Sequence, residues 1–198
     1  MTKPTLIILT KPPRIGVSKT RLANDLGRAT ARRIAHYTTG KTVRAAKTLD
    51  WRVQLHIEPR IAVGDTLGGL WPDRFEHLPQ VRGDLGDRMA GAMQQAPFGP
   101  VIFAGTDAPG IRRQHFIDAA RALRREGAVF GPAADGGFWL LGLSHALRDP
   151  KIFENVRWSG PHAMEDVWSN LPDRAHISLL PQLIDIDTGK DWKIYKKQ

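Results

Sequence analysis

Thr5-Leu6-Ile7-Ile8-Leu9 runs directly into Thr10-Lys11-Pro12-Pro13-Arg14-Ile15-Gly16-Val17-Ser18-Lys19-Thr20-Arg21-Leu22. The first five residues form an unbroken apolar run, the pattern of a strand buried on both faces of a parallel sheet. The loop after it places four bases (Lys11, Arg14, Lys19 and Arg21), the flexible Gly16 and two hydroxyls just before a helix-forming stretch. A helix N-terminus presents free N–H groups and partial positive charge, so anions bind there readily. Basic side chains at that end are otherwise unfavourable. Lys19 and Arg21, expected at a solvent-facing helix start, therefore favour a phosphate-binding loop over a plain charged one. A Walker A loop is excluded: it needs Gly immediately before its Lys and another five residues earlier, where this chain has Ser18 and Pro13. Gly40-Lys41-Thr42 fails as well, because the earlier glycine position is Ala35.

Outward from this stretch, strands and helices alternate. Helix-forming sequence extends from about Lys19 to Leu49 with a break near Gly27, and Trp51 to Ile57 alternates as a second strand. Asp84 to Ala96 predicts a helix with Leu85, Met89 and Met93 on one face. Val101-Ile102-Phe103-Ala104 is a further buried strand, and a helix follows from about Arg113 to Glu126. Val129-Phe130 and Phe138 to Leu143 read as strands around a turn-rich segment. A helix from about His162 to Asn170, strands over His176–Leu180 and Leu183–Ile186, and a short basic tail complete the reading. The expectation is a single domain over 1–198, a three-layer α/β/α sandwich with a mainly parallel sheet. Ligands of such sheets sit beyond the carboxyl ends of the strands, which directs attention to the loops after Leu9 and Ala104.

Composition bounds the chemistry. The 198 residues include no Cys, so a disulfide framework, a thiolate zinc site and a Cys nucleophile are all excluded. No apolar run approaches the roughly 20 residues of a membrane span, and the first run is too short for a signal-peptide core. A soluble cytoplasmic protein is expected. The net charge of +9 is unevenly placed: residues 1–50 hold eleven Lys or Arg against Asp25 and Asp50, and the remainder is neutral. Phosphate binding, a nucleic-acid-binding face and a solvated basic helix all remain open on charge alone.

The other candidate segments are acidic or glycine-rich. Gly105-Thr106-Asp107-Ala108-Pro109 sets a carboxylate at the end of a buried strand, suited to a divalent ion or to capping a turn. In Asp135-Gly136-Gly137 the glycines allow close approach of a ligand, although such a motif is more often a hairpin turn. Asp185-Ile186-Asp187-Thr188 offers alternate carboxylates, with Asp187 or Thr188 as an alternative helix cap. No histidine pair has metal-ligand spacing on one helix face, and no Gly-x-Ser-x-Gly elbow occurs. Trp158, Trp168 and Trp192 read as core or rim aromatics.

Six elements occur in a specific order: Lys11-x-Pro13-x-x-Gly16-x-x-Lys19-Thr20-Arg21-Leu22, Gly83-Asp84-Leu85-Gly86-Asp87-Arg88-Met89, Gly105-Thr106-Asp107-x-Pro109, Asp135-Gly136-Gly137-x-x-Leu140-x-Gly142-Leu143, Trp158-Ser159 and Asp185-Ile186-Asp187-Thr188. Over nearly its whole length the chain resembles the nucleotide-diphosphosugar transferase superfamily of GT-A fold. It is similar in particular to a small bacterial family of glycosyltransferase-like proteins, and to guanylyltransferases of the phospholactate and molybdopterin type. The resemblance implies a transferase that uses a nucleotide-sugar on a small-molecule acceptor, or a nucleoside triphosphate in nucleotidyl transfer. It implies a Mg²⁺ or Mn²⁺ ion near Asp107, with Asp187 as the second ligand and Asp185 and Asp135 as further candidates. Catalytic roles fall to Asp107 and Asp135. The nucleotide would lie against Lys11, Arg14, Gly16, Lys19, Arg21, Gly83, Asp84 and Thr106, and the acceptor or sugar against Gly136, Gly137, Trp158 and Ser159. One departure stands out: a GT-A Asp-x-Asp pair is replaced here by Asp107-Ala108-Pro109. A non-catalytic nucleic-acid-binding module is the third reading, and it leaves Asp107 and Asp135 without a role. A homodimer stays open as an option.

Overall fold

The computed structural model describes residues 2–125 and 127–197. Seven strands form one sheet: β1 (Thr5–Thr10), β2 (Val53–Ile57), β3 (Glu76–Pro79), β4 (Val101–Ala104), β5 (Gly127–Pro132), β6 (Phe138–Leu143) and β7 (His176–Leu179). Their order is β3-β2-β1-β4-β6-β5-β7, with β6 antiparallel to β4 and β5 and every other neighbouring pair parallel. Among the described residues there are six α-helices, five between strands and one after the last: α1 (Thr20–Leu26), α2 (Arg28–Lys47), α3 (Leu85–Gln95), α4 (Arg113–Ala122), α5 (Ala163–Ser169) and α6 (Gly189–Tyr195). The expected three-layer arrangement with a mainly parallel sheet is present.

The layering follows from β1. Leu6, Ile7 and Ile8 are all fully buried, and alternate side chains leave opposite faces of a strand. Leu6 and Ile8 join one core with Val43 and Ala46 of α2 and Phe116 and Ala119 of α4. Ile7 joins the other, with Met89 and Met93 of α3 and Val167 of α5. Each such side chain contributes about 1.5–3 kcal/mol relative to exposure, which is why an uninterrupted apolar run belongs in the centre of the sheet. Along α2, Ala31, Ile34, Ala35, Thr38, Thr42 and Val43 are buried at helical spacing, while Arg28, Arg32, Arg33, Arg44 and Lys47 are exposed on the other side. Much of the N-terminal charge excess is thus a solvated helix face.

The break near Gly27 is real. Gly27 has φ 81, ends α1 by donating its N–H to the Ala23 carbonyl, and starts α2. Three elements differ from expectation. The helix from Arg113 ends at Ala122 and tightens into a 3-10 turn over Leu123–Arg125, and Glu126 lies outside the described residues. Leu183–Ile186 is extended but not a strand: Leu183 bonds Pro132 and Ala134, and three residues on Ile186 bonds Asp107. The segment makes one parallel bridge, Ala133 with Leu183, and then passes from the end of β5 to the end of β4, so no longer ladder forms. β3 has no apolar run to announce it, being a half-buried edge strand that ends in a proline, which only an edge accommodates. No described helix is long and apolar enough to cross a membrane.

Candidate active site

Because β1 and β4 are parallel neighbours, the Thr10-Lys11 and Gly105-Thr106-Asp107 loops emerge side by side. Opposite them the chain enters α1 through Lys19, whose backbone is left-handed at φ 54 and whose side chain makes no capping bond. This turn sends the ammonium inward. The Lys19 side chain is only 6% exposed, and its Nζ lies 2.8 Å from Asp107 Oδ1 and 2.9 Å from Asp187 Oδ1. It also donates to the Ile186 carbonyl. Burial alone would pull the ammonium's pKa down; the attraction of Asp107 and Asp187 outweighs it, and Lys19 titrates above an ordinary lysine. The expectation of a solvent-facing Lys19 is therefore corrected. A helix start does need an anion beside such a base, and two of the protein's own carboxylates supply it.

Asp187 reaches this point by two devices. The Ile186 N–H donates to the Asp107 carbonyl at 3.0 Å, and Ile186 is fully buried with Leu22, Ala31 and Ile34. Directly after it, Thr188 starts α6 through a reciprocal capping box with Asp191. Asp25 of α1 accepts the Gly189 N–H at 2.7 Å. The capping reading therefore holds for Thr188, while the Asp187 side chain stays turned toward Lys19.

A cleft of about 380 Å³ opens over this group. Of the predicted nucleotide-binding residues it is lined by Lys11, Lys19, Arg21 and Thr106, together with Asp107 and Asp187. Arg14 instead pairs with Asp65 at 2.8 Å. Gly16, Gly83 and Asp84 are not among the lining residues. Asp84 caps α3, accepting the Asp87 N–H in a capping box, and Gly83 packs so tightly on Asp87 that a Cβ would lie 2.1 Å from its carboxylate. Lining residues that sequence reasoning passed over are Ser18, Gln80, Leu85 and Arg88. Ser18 Oγ is buried without a hydrogen-bond partner. Gln80 donates to the Thr10 and His56 carbonyls, and Arg88 bonds Glu58 and the Gly83 carbonyl. Glu58 also lies 3.3 Å from Lys11.

The predicted acceptor residues lie to one side. Asp135 is exposed and accepts the Gly137 N–H at 3.0 Å, a turn contact. Gly136 has φ 88, and a Cβ there would lie 2.2 Å from the Pro161 carbonyl oxygen. The close approach that this glycine permits is to the protein's own backbone. Trp158 packs edge-on against Phe138, its ring 6.4 Å away, and against Phe153. Its loop is clamped by Arg157, which forms a two-pronged bond with Asp166, and Ser159 is left-handed at φ 63. Asp185 is largely buried beneath this region. Desolvation first, then repulsion from Asp107 and Asp135, pushes its carboxyl up to about 8.

Among the described residues no group of three or more His, Cys, Asp or Glu is arranged to hold a metal. Two carboxylates do converge on a single cationic atom, however, and magnesium typically takes one or two protein carboxylates with water and substrate phosphates completing its shell. The donor set of Asp107 and Asp187 fits such an ion if Lys19 gives up its place.

Residues 41–160 match the family described as "Uncharacterized protein conserved in bacteria" (DUF2064). The chain belongs to this family. No curated protein matches it. Among solved structures, this DUF2064 member is similar to a protein of Desulfovibrio desulfuricans G20 provisionally named a nucleotide-diphospho-sugar transferase. The TM-score is 0.86 at 24% identity, over 98% of this chain and 87% of the other. It is also similar to 4-diphosphocytidyl-2C-methyl-D-erythritol synthase of Anaerococcus prevotii DSM 20548, with TM-score 0.60 and 11% identity over 99% of each chain. A third neighbour is Rv0371c of Mycobacterium tuberculosis H37Rv in complex with manganese, with TM-score 0.58 and 15% identity over 100% and 99%. The chain shares its fold with these three structures.

Proposed function

We propose that this DUF2064 member is a transferase that binds a nucleotide-sugar in the cleft and passes the sugar to a small-molecule acceptor. The observation that carries this reading is the convergence of Asp107 and Asp187 on one cation, 2.8 and 2.9 Å away, at the carboxyl ends of the central strands. A divalent ion between those carboxylates would stabilise the charge developing on the departing diphosphate. Lys19, once displaced, would donate to a phosphate oxygen, as would Arg21, which lines the cleft exposed. The names of the fold neighbours support transferase chemistry, and the manganese complex of Rv0371c supports a metal.

Nucleotidyl transfer is the second reading, favoured by the resemblance to the cytidylyltransferase fold. It calls for a dense cationic cradle around three phosphates. Here Lys11 is paired with Glu58, Arg14 with Asp65 and Lys19 with two aspartates, which favours the diphosphate donor.

Thermal denaturation with UDP-, GDP-, CDP- and ADP-sugars and the four nucleoside triphosphates, each with and without Mn²⁺, tests the proposal. A ligand at about 100 times its Kd adds roughly 2.7 kcal/mol. A metal-dependent shift with one nucleotide-sugar is expected. A shift with a triphosphate alone moves the assignment to nucleotidyl transfer, and no shift with any nucleotide overturns both.

A further inference from the structure

A second cavity, of about 610 Å³, opens between α2, α4 and α6 and shares no lining residue with the cleft. Three bases line it: Lys41 from α2, Arg112 just before α4 and Lys196 just after α6. Among the described residues no Asp or Glu lines it, and none of these bases belongs to an ion pair. The carboxylates of the flanking segments are engaged elsewhere. Asp107 and Asp187 hold Lys19, Asp118 bonds Gln114 and Arg121, and Asp191 caps α6. Asp185 lies largely buried toward Asp107 and Asp135. Aromatic rings fix two of the ammonium groups without neutralising them: Lys41 Nζ is 5.4 Å from the Tyr37 ring and Lys196 Nζ 5.9 Å from that of Trp192. Arg112 and Arg113 stand at the start of α4, whose first turn holds no acid. Bases at the positive end of a helix are unfavourable unless an anion sits beside them. At Lys19 the protein's own aspartates are that anion; at α4 no described residue is.

The charge and the shape of this cavity together select an occupant. Concave walls of one sign focus the field and concentrate counter-ions. A phosphate monoester carries about 1.5 to 2 negative charges at neutral pH and offers strong acceptor oxygens, which suits a guanidinium flanked by two ammonium groups. The volume falls within the roughly 300–1,000 Å³ of small-molecule sites. A single-stranded nucleic acid would need open ring faces on which its bases stack. Tyr37, Trp192 and Tyr195 instead pack on one another.

We propose that this cavity is a second anion site, separate from that of the donor, and that it takes a small soluble phosphate monoester held by Arg112, Lys41 and Lys196. The proposal goes beyond the transferase reading and stands whether or not a nucleotide binds in the cleft. Inorganic phosphate and glycerol 3-phosphate, titrated into ¹⁵N-labelled protein at constant ionic strength in sodium chloride, test it. Both should give saturable shifts at the amides of Gly110, Arg112, His115 and Lys196. Arg112→Ala and Lys41→Ala should each weaken this binding about fivefold, the worth of one exposed charge at contact distance, while Arg112→Lys retains most of it. Shifts confined to the amides of Arg21 and Thr106 would place the phosphate in the cleft alone and overturn the proposal. Unchanged affinity in both alanine variants overturns it, as do equal shifts from added sodium chloride. Binding of an octathymidylate or of phosphatidic acid vesicles, with neither soluble ester bound, overturns it as well.

Discussion

Asp107 has two partners to serve, and its substitution separates them. Without ligand it is one of two anions holding a buried ammonium. Asp107→Asn leaves Lys19 with Asp187 and the Ile186 carbonyl. The expected loss of stability in chemical denaturation is about 1–2 kcal/mol, the lower part of the range for charged hydrogen bonds because Asp107 itself is 46% exposed and solvent screens it. With ligand, the same variant should lose the metal-dependent thermal shift of the nucleotide-sugar. Were Asp107 only a turn residue, Asn would serve almost as well and the shift would persist; that outcome removes the metal role. The sign of the ligand-free effect depends on Lys19. With the ammonium between them, Asp107 and Asp187 are a partly neutralised pair.

At the scale of elements, α6 acts as the lever that positions Asp187. Tyr37 of α2 holds it from the far side, its hydroxyl 2.9 Å from that of Tyr195 and its ring edge-on to Trp192. Thr188→Ala removes the side-chain cap that accepts the Asp191 N–H, which should cost about 1 kcal/mol. It should also weaken nucleotide-sugar binding in the presence of Mn²⁺ but leave metal-free binding unchanged, a comparison made by calorimetry. Equal weakening in both conditions would mean that α6 supports the cleft generally. Elements with a strong local signal were legible in the sequence: the apolar run of β1, the Gly27 break, the Asp84 start of α3. The Lys19–Asp187 contact was not, because it joins residues 168 apart through a backbone turn that no periodicity reveals. Arg14 with its Asp65 partner and Asp84 with its cap on α3 were not legible for a related reason. Charge and helix-start chemistry mark a residue as suited to an anion or a cap, but only the fold decides whether Asp65 or a phosphate is the anion. Asp185 was recognised only as a candidate ligand, since burial of one carboxylate among three follows from the crossing of 183–186 over the strand ends.

At the scale of the whole molecule, stability depends on an acid-sensitive group inside the sheet. His56, next to the last residue of β2, is 1% exposed, and desolvation, partly opposed by Glu76, lowers its pKa to about 4. In the unfolded chain the ring takes up a proton near pH 6.5; in the folded one it resists until about 4. The stabilisation is complete above pH 6.5 and is lost as the pH falls through that window, by up to roughly 3 kcal/mol. Replacing it as His56→Gln should flatten the pH dependence of denaturation between 6.5 and 4, and an unchanged slope would assign the sensitivity elsewhere. Lys19 carries a different consequence. Its ammonium holds the place a divalent ion would take, so the protein is its own antagonist for that ion. Ion entry requires the ammonium to find another anion, and the donor diphosphate is one. Metal and donor should therefore bind with positive linkage, each raising the other's affinity by the same factor. Mn²⁺ titrations with and without the nucleotide-sugar measure that factor. In Lys19→Met the factor should fall while the affinity for Mn²⁺ alone rises, and an empty site in the natural chain should stay guarded against stray ions until its substrate arrives.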